Sequence, residues 1–213
     1  LTGRLVTTLA LLLPALFGCR SMPPSLPEVR SELRAWVASG AYEKELETAL
    51  RPARRHLERR ADGAERPALV LDIDETSLST WAYQRDRDFC YTPETFDAWI
   101  EETTPPPIEA TLALYRRARE RGVAVFFVTG RREPLRGETE RTLRAAGYEE
   151  WEELVLRPPS HDGPVADFKG DTRRRIEESG YTILLNVGDQ HSDLSGGHAE
   201  RSVLLPNPFY RID

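Results

Sequence analysis

Asp72 and Asp74 lie two positions apart where a short apolar run, Ala68 to Leu71, stops. Alternate side chains of an extended segment point the same way, so the two carboxylates share a side while Ile73 turns into apolar packing. Like charges held this close repel unless a cation or a shared proton accommodates them. Polar residues follow two further apolar runs: Thr129-Gly130-Arg131 after Val123 to Val128, and Asp189 and Asp193 after Thr182 to Val187. Lys169 precedes the last of these runs. Carboxylates in this number suit a hard cation such as Mg2+, whereas a lysine, a threonine hydroxyl and the Gly130 amide suit a phosphate.

The chemistry these groups can do together is phosphoryl transfer through a covalent aspartate. Asp72 attacks phosphorus, and Asp74 protonates the leaving alcohol and later takes a proton from the attacking water. Asp72, Asp189 and the backbone carbonyl of Asp74 hold the metal, with Asp193 as direct or water-mediated support. Lys169 neutralises charge between Asp72 and the phosphate, and Thr129 and Gly130 donate to phosphoryl oxygens. Arg131, beside Thr129, suits either a phosphate or leaving-group contact or an ion pair on a helix surface.

These residues need elements that bring them to one place. The apolar runs predict strands buried on both faces, as in a parallel sheet, with Leu154 to Leu156 and Val203 to Leu205 as shorter ones. Helices are predicted from Ile108 to about Arg121, from about Leu135 to Ala145 and from Thr172 to Glu178, ended by Gly122, Gly147 and Gly180. Lys169 is expected just before the third. Helix, glycine, apolar strand is the crossover unit of an α/β domain, and an open parallel sheet takes its ligand at the carboxyl ends of its strands. Upstream, Glu28 to Arg60 predicts helices broken at Ser39-Gly40, with Pro52 beginning or kinking another. Ser77 to Thr104 is rich in aromatics and predicts a compact helical insertion, with a helix starting near Pro93. In it, Trp81 and Tyr83 either meet a substrate ring or form the insertion's own core.

The 213 residues suit one domain, and 39% hydrophobic with 30% charged residues indicates a folded body. The net charge of -6 argues against a nucleic-acid polymer as partner, which needs a basic face. Arg4 and the apolar Leu5 to Phe17 predict a signal peptide over residues 1–18, too short to span a membrane. Leu16-Phe17-Gly18-Cys19 resembles the bacterial lipoprotein processing box, which implies export to the bacterial cell envelope and a lipid anchor on Cys19 as the chain's one link to a membrane. A tether would then cover residues 19–27; a plain cleaved signal is the alternative. Cys90 then has no intrachain partner, and its place between Phe89 and Tyr91 predicts packing, not catalysis. No two histidines have zinc-binding spacing. His191, inside the acidic loop, is placed to shape that loop or to reach substrate.

Leu71-Asp72-Ile73-Asp74-Glu75-Thr76, Phe127-Val128-Thr129-Gly130-Arg131, Lys169 and Gly188-Asp189-Gln190-His191-Ser192-Asp193-Leu194 resemble, in order and spacing, the four motifs of haloacid dehalogenase (HAD) superfamily phosphatases. Glu75 and the ending Leu205-Pro206-Asn207-Pro208-Phe209-Tyr210 are similar to the acid phosphatase branch, subfamily IIIB. That branch includes class B-like enzymes, bacterial outer-membrane lipoprotein phosphatases and plant vegetative-storage-type proteins. The resemblance covers residues 28–213. It implies a Rossmann-like, three-layer α/β core with a mostly parallel sheet and a small helical cap insertion at about 77–107. It also implies Mg2+ dependence and a small-molecule phosphomonoester substrate, often a nucleoside monophosphate. His191 departs from the aromatic common at its position. A phosphotransferase shares the same intermediate, and a noncatalytic surface or storage protein is the rival of a different class. A dehalogenase needs neither Asp74 nor a metal cluster, and a receiver-like module needs no second aspartate after Asp189. Oligomeric state is not specified by these residues.

Overall fold

Five strands carry the apolar runs: β1 (Pro67–Leu71), β2 (Ala124–Arg132), β3 (Glu153–Arg157), β4 (Thr182–Gly188) and β5 (Ser202–Leu204). The computed structural model describes residues 23–212; the expected signal peptide, Cys19 and the first part of the tether lie outside them. The strands form one sheet in the order β3-β2-β1-β4-β5, and every pairing is parallel. Parallel neighbours need crossovers, which are supplied by α5 (Glu109–Glu120), α6 (Arg136–Ala145) and α7 (Val165–Glu178). Two helices precede the sheet, α1 (Leu26–Ala38) and α2 (Ala41–Arg60).

The two-residue period of a strand divides the core between two faces. Ala68, Val70, Phe126 and Val128 pack with Phe168 and Ile176 of α7. Leu69, Leu71, Val125 and Phe127 pack with Leu50 and Leu57 of α2, Leu114 of α5 and Leu143 of α6. This is the expected three-layer arrangement, helices on both faces of a parallel sheet. Each fully buried side chain of this size contributes roughly 1.5–3 kcal/mol, so the strand ends are held by the most stable part of the molecule. The chain moves outward from β1 through β2 to β3, then returns to β4 on the other side of β1. The reversal opens a crevice at the carboxyl ends of β1 and β4, where no crossover covers them.

Between β1 and α5 lie α3 (Trp81–Asp86) and α4 (Pro93–Glu102). Thr92 caps α4 by accepting from the Thr95 amide at 3.3 Å, and Pro93 occupies the first position, where its missing N–H costs nothing. Tyr83, Phe96 and Ile100, with Trp99, form an apolar cluster separate from the sheet core.

The structure departs from the sequence expectations in four places. Helix α7 begins at Val165 and not at Thr172, so Lys169 is inside a helix. Gly170 lies inside the helix, where its bare backbone serves close packing: an added Cβ would lie 3.4 Å from the Ser195 carbonyl oxygen and 3.6 Å from Gly196 Cα. Helix α1 begins at Leu26, inside the expected tether, because Ser25 and Glu28 cap it reciprocally, with the Ser25 amide donating to Glu28 Oε2 at 2.7 Å. Helix α2 runs from Ala41 to Arg60 with Pro52 inside it, so Pro52 does not begin a helix, and Leu46, Leu50, Ala53 and Leu57 hold it through its buried face. Cys90 is exposed, not packed, in a loop where Asp88 and Phe89 adopt positive φ. Among the described residues, no helix is long and apolar enough to cross a membrane.

Candidate active site

Asp72 extends the line of β1, its amide donating to the Val187 carbonyl at 3.0 Å. The backbone then turns sharply: Glu75 adopts φ 53°, and the Ser77 and Leu78 amides both return to the Ile73 carbonyl at 2.8 Å. Ser77 Oγ donates to the Asp72 carbonyl at 2.6 Å, fixing where the Asp72 side chain starts. Lys169 Nζ, reaching from α7, donates to Asp72 Oδ1 at 2.6 Å and also to Asp193 Oδ1. From the end of β4, Asp189 accepts from Thr76 Oγ1 at 3.2 Å, from Asn207 Nδ2 at 2.7 Å and from Gln190 Nε2. Asp193 lies in the short helix α8 (His191–Leu194), where its Oδ2 accepts from the Gln190 amide at 2.8 Å. Gly188 is required here, since a Cβ on it would collide with the Asp193 side chain.

Asp72, Asp189 and Asp193 are all buried, and each offers an oxygen within 4.8 Å of the others. One ammonium faces these three carboxylates. Burial opposes the Lys169 charge, but Asp193 and Asp72 more than offset it and raise its pKa, so the ammonium persists. Burial pushes the Asp189 carboxyl up to about 7, with the Asp193 charge adding to it. Burial likewise raises Asp72; Lys169 opposes the rise, while Asp193 and Asp189 add to it. A buried all-oxygen donor set with surplus negative charge fits a hard divalent cation.

Asp74, two residues from Asp72, has a different environment. Arg131 grips it bidentately, Nε to Oδ2 at 2.9 Å and Nη2 to Oδ1 at 2.6 Å. Arg131 is itself buried, with Nη1 donating to Thr139 Oγ1 at 3.3 Å. Burial disfavours its charge, but Asp74 restores it and the pKa rises. The Asp74 side chain therefore stands apart from the cluster of Asp72, Asp189 and Asp193. Arg131 is thus buried in β2 and paired with Asp74, not on a helix surface, and it also lines the cleft. Glu75 is buried too, accepting from the Thr80 amide at 2.7 Å and from the Tyr210 hydroxyl at 2.8 Å, and burial pushes it up to about 7.

Asp72, Asp74, Thr129, Gly130, Arg131, Lys169, Asp189 and Asp193 all line one cleft of about 410 Å3. The structure thus brings together the aspartates, the lysine and the Thr129-Gly130-Arg131 end of β2 from three strand ends and two helices, α7 and α8. Trp81, Tyr83 and His191 are not among the lining residues. Trp81 packs on Phe89 and Phe209, with ring centroids 6.1 and 5.2 Å away. Tyr83 is buried against Phe96, its hydroxyl paired with Thr95 Oγ1 at 2.8 Å. His191 is exposed at the start of α8. The cap wall is built instead from Gln84, Tyr91, Pro93, Phe96 and Asp97.

Sequence reasoning assigned no role to Asn186, Arg173 or Asn207. Asn186 Nδ2 and Arg173 Nη1 both donate to the Asp193 carbonyl, at 2.9 and 2.6 Å. A polar residue inside the apolar run of β4 is a signal for Asn186. Arg173 offers none, being one of three consecutive arginines on α7.

A family model described as HAD superfamily, subfamily IIIB (acid phosphatase) matches residues 25–213. Acid phosphatase 1 of Solanum lycopersicum is 38% identical over 152 residues, which cover 69% of this chain and 60% of that protein. The stem 28 kDa glycoprotein of Glycine max is 28% identical over 204 residues, covering 92% of this chain and 79% of its own length. The class C acid phosphatase from Bacillus anthracis is similar in fold, with a TM-score of 0.71 at 20% identity over 87% of this chain and 86% of that one. Because residues 25–213 take in all five strands and every group lining the cleft, the chain belongs to the acid phosphatases of HAD superfamily subfamily IIIB.

Proposed function

We propose that this chain is a Mg2+-dependent acid phosphatase that hydrolyses phosphomonoesters through an aspartyl-phosphate on Asp72. The observation that carries the reading is the unlike treatment of two neighbouring acids. Asp72 is held by Lys169 among the buried carboxylates, as a nucleophile beside a cation must be, while Asp74 is held by Arg131 away from them, as a proton-transfer group must be. Asp72, Asp189 and the Asp74 carbonyl would hold Mg2+, supported by Asp193; when bound, it supplies charge neutralisation between the phosphate and the attacking carboxylate.

The chain's own groups perform the rest. Lys169 favours the charged form of Asp72 against burial and faces the incoming phosphate, and Thr129 with the Gly130 amide receives phosphoryl oxygens at the end of β2. An Asp72 oxygen forms the bond to phosphorus as the bond to the leaving oxygen breaks, and Asp74 delivers a proton to that oxygen. A water then forms the new bond to phosphorus, Asp74 takes its proton, and the Asp72–phosphorus bond breaks. The cleft volume and the aromatic wall of Tyr91 and Phe96 suit a nucleoside monophosphate. Phosphate release should require added Mg2+, stop with chelator and vanish in Asp72→Asn. A folded protein that binds Mg2+ yet releases phosphate from no nucleotide, sugar phosphate or aryl phosphate would point to a storage role instead.

Export and a lipid on Cys19 belong to the same reading, supported by the apolar Leu5 to Phe17 and by Gly18-Cys19. Membrane fractionation of the expressed chain and of Cys19→Ser tests it: the substitution should release the protein, and equal distribution of both refutes the anchor.

A further inference from the structure

The segment after β5 ties itself to the carboxyl ends of two strands at the cleft, β4 and β1. The Leu205 amide donates to the Gly188 carbonyl at 2.8 Å, Tyr210 reaches Glu75, and the Ile212 amide donates to Gln190 Oε1 at 2.9 Å. Phe209 anchors it in apolar surroundings, 5.2 Å in ring separation from both Tyr42 and Trp81. In the middle stands Asn207. Its Oδ1 accepts from the Phe209 and Tyr210 amides at 2.8 and 3.4 Å, and its Nδ2 donates to Asp189 Oδ2 at 2.7 Å. The amide cannot be turned over, because the opposite orientation sets an oxygen against a carboxylate and an NH2 against two N–H groups.

We propose that Asn207 is a positioning residue for the cation site, aiming the Asp189 carboxylate; this rests on the metal-dependent reading above. A carboxylate oxygen has two lone-pair positions. Both on Asp189 Oδ2 are taken, by Asn207 Nδ2 and Gln190 Nε2, whereas Oδ1 accepts one bond, from Thr76 at 3.2 Å, and keeps one position for a cation. Both donors to Oδ2 are in turn oriented by backbone amides of the same segment: Asn207 by Phe209 and Tyr210, Gln190 by Ile212. The direction in which Asp189 faces is thus set by residues that follow the last strand, remote in sequence from the motifs that hold the phosphate. Groups that orient a metal-ligating carboxylate in this way typically account for about 10-fold to 100-fold in metal affinity.

The test is Mg2+ binding by calorimetry on the full chain, without substrate, alongside denaturation midpoints measured in chelator. Asn207→Ser keeps an oxygen for the turn amides but is too short to reach Asp189, and it should weaken Mg2+ binding by about 10-fold. Phe209→Leu loosens the same segment through packing alone; it should lower the midpoint and leave Mg2+ affinity within about twofold of wild type, since it removes no donor to Asp189. If Asn207→Ser does not fold, Asn207→Thr carries the test, since its hydroxyl also keeps a short acceptor for the turn amides, removes the donor to Asp189 and adds no charge beside the cation site. Wild-type affinity in the folded Asn207 variant overturns the proposal, as does equal weakening in Phe209→Leu. A wild-type chain that takes up no Mg2+ overturns the metal-dependent reading together with this one, whereas Mg2+ uptake without phosphatase activity overturns only the former.

Discussion

The floor of the cleft and its cap wall are built on opposite terms. On the floor, Asp72, Asp189, Asp193 and Lys169 are all buried, each bonded to another group of the site or to the chain that carries it. On the wall, Tyr91 is 57% exposed, and the cap meets β2 and α6 through surface contacts such as Arg132 to Asp97 at 2.8 Å and Arg141 to the Ile100 carbonyl at 2.9 Å. The floor carries charges that would be costly to bury unpaired, so its geometry tolerates little movement. The wall carries Tyr91 on the loop between α3 and α4 and Phe96 on the short helix α4, so its shape can change at little energetic expense. Under the proposed function, reaction type would belong to the first region and substrate choice to the second.

Substitutions on the two regions should therefore separate. The largest effect is expected for Asp72→Asn, which removes the nucleophile: turnover should fall by about 10³-fold or more. Since burial already disfavours the Asp72 charge, the thermal midpoint should hold or rise. A variant that retains measurable covalent turnover would break the assignment of the floor. Next is Arg131→Met, which releases Asp74 and leaves a largely buried carboxylate unpaired. Stability should drop by about 3 kcal/mol in a denaturant titration, and turnover of an alkyl phosphate by about 10²-fold, with a smaller loss on an aryl phosphate that needs little proton assistance. Equal losses on both substrates would show that Arg131 does more than orient Asp74. The smallest effect is expected for Tyr91→Ala on the wall: KM should rise by up to about tenfold for bulky substrates, kcat should change little, and stability should shift by less than about 0.5 kcal/mol. A fall in kcat as large as that of Arg131→Met would erase the distinction between floor and wall.

The floor was more legible in the sequence than the wall, for a physical reason. A parallel sheet has a two-residue period and puts its ligands at strand ends, so apolar runs followed by Asp72, Thr129 and Asp189 specify both strand and site. The aromatics of the insertion have no such rule. Trp81 and Tyr83 are as apolar as Tyr91 and Phe96, and only their packing decides that the first pair serves the interior alone, while Tyr91 lines the cleft and Phe96, buried against Tyr83, lines it as well.

The same division holds inside the site. Sequence alone determined which groups are present, their order on the strands and the chemistry that four acids, a lysine and a threonine can share, because those follow from residue type and period. Only the tertiary structure decided the pairings: Arg131 with Asp74, Asn207 with Asp189, and Lys169 from within α7 between Asp72 and Asp193. Each links residues that are distant along the chain, 57 positions apart for Arg131 and Asp74 and 97 for Lys169 and Asp72. Such a link depends on helix phase and side-chain direction after packing, which no local pattern encodes.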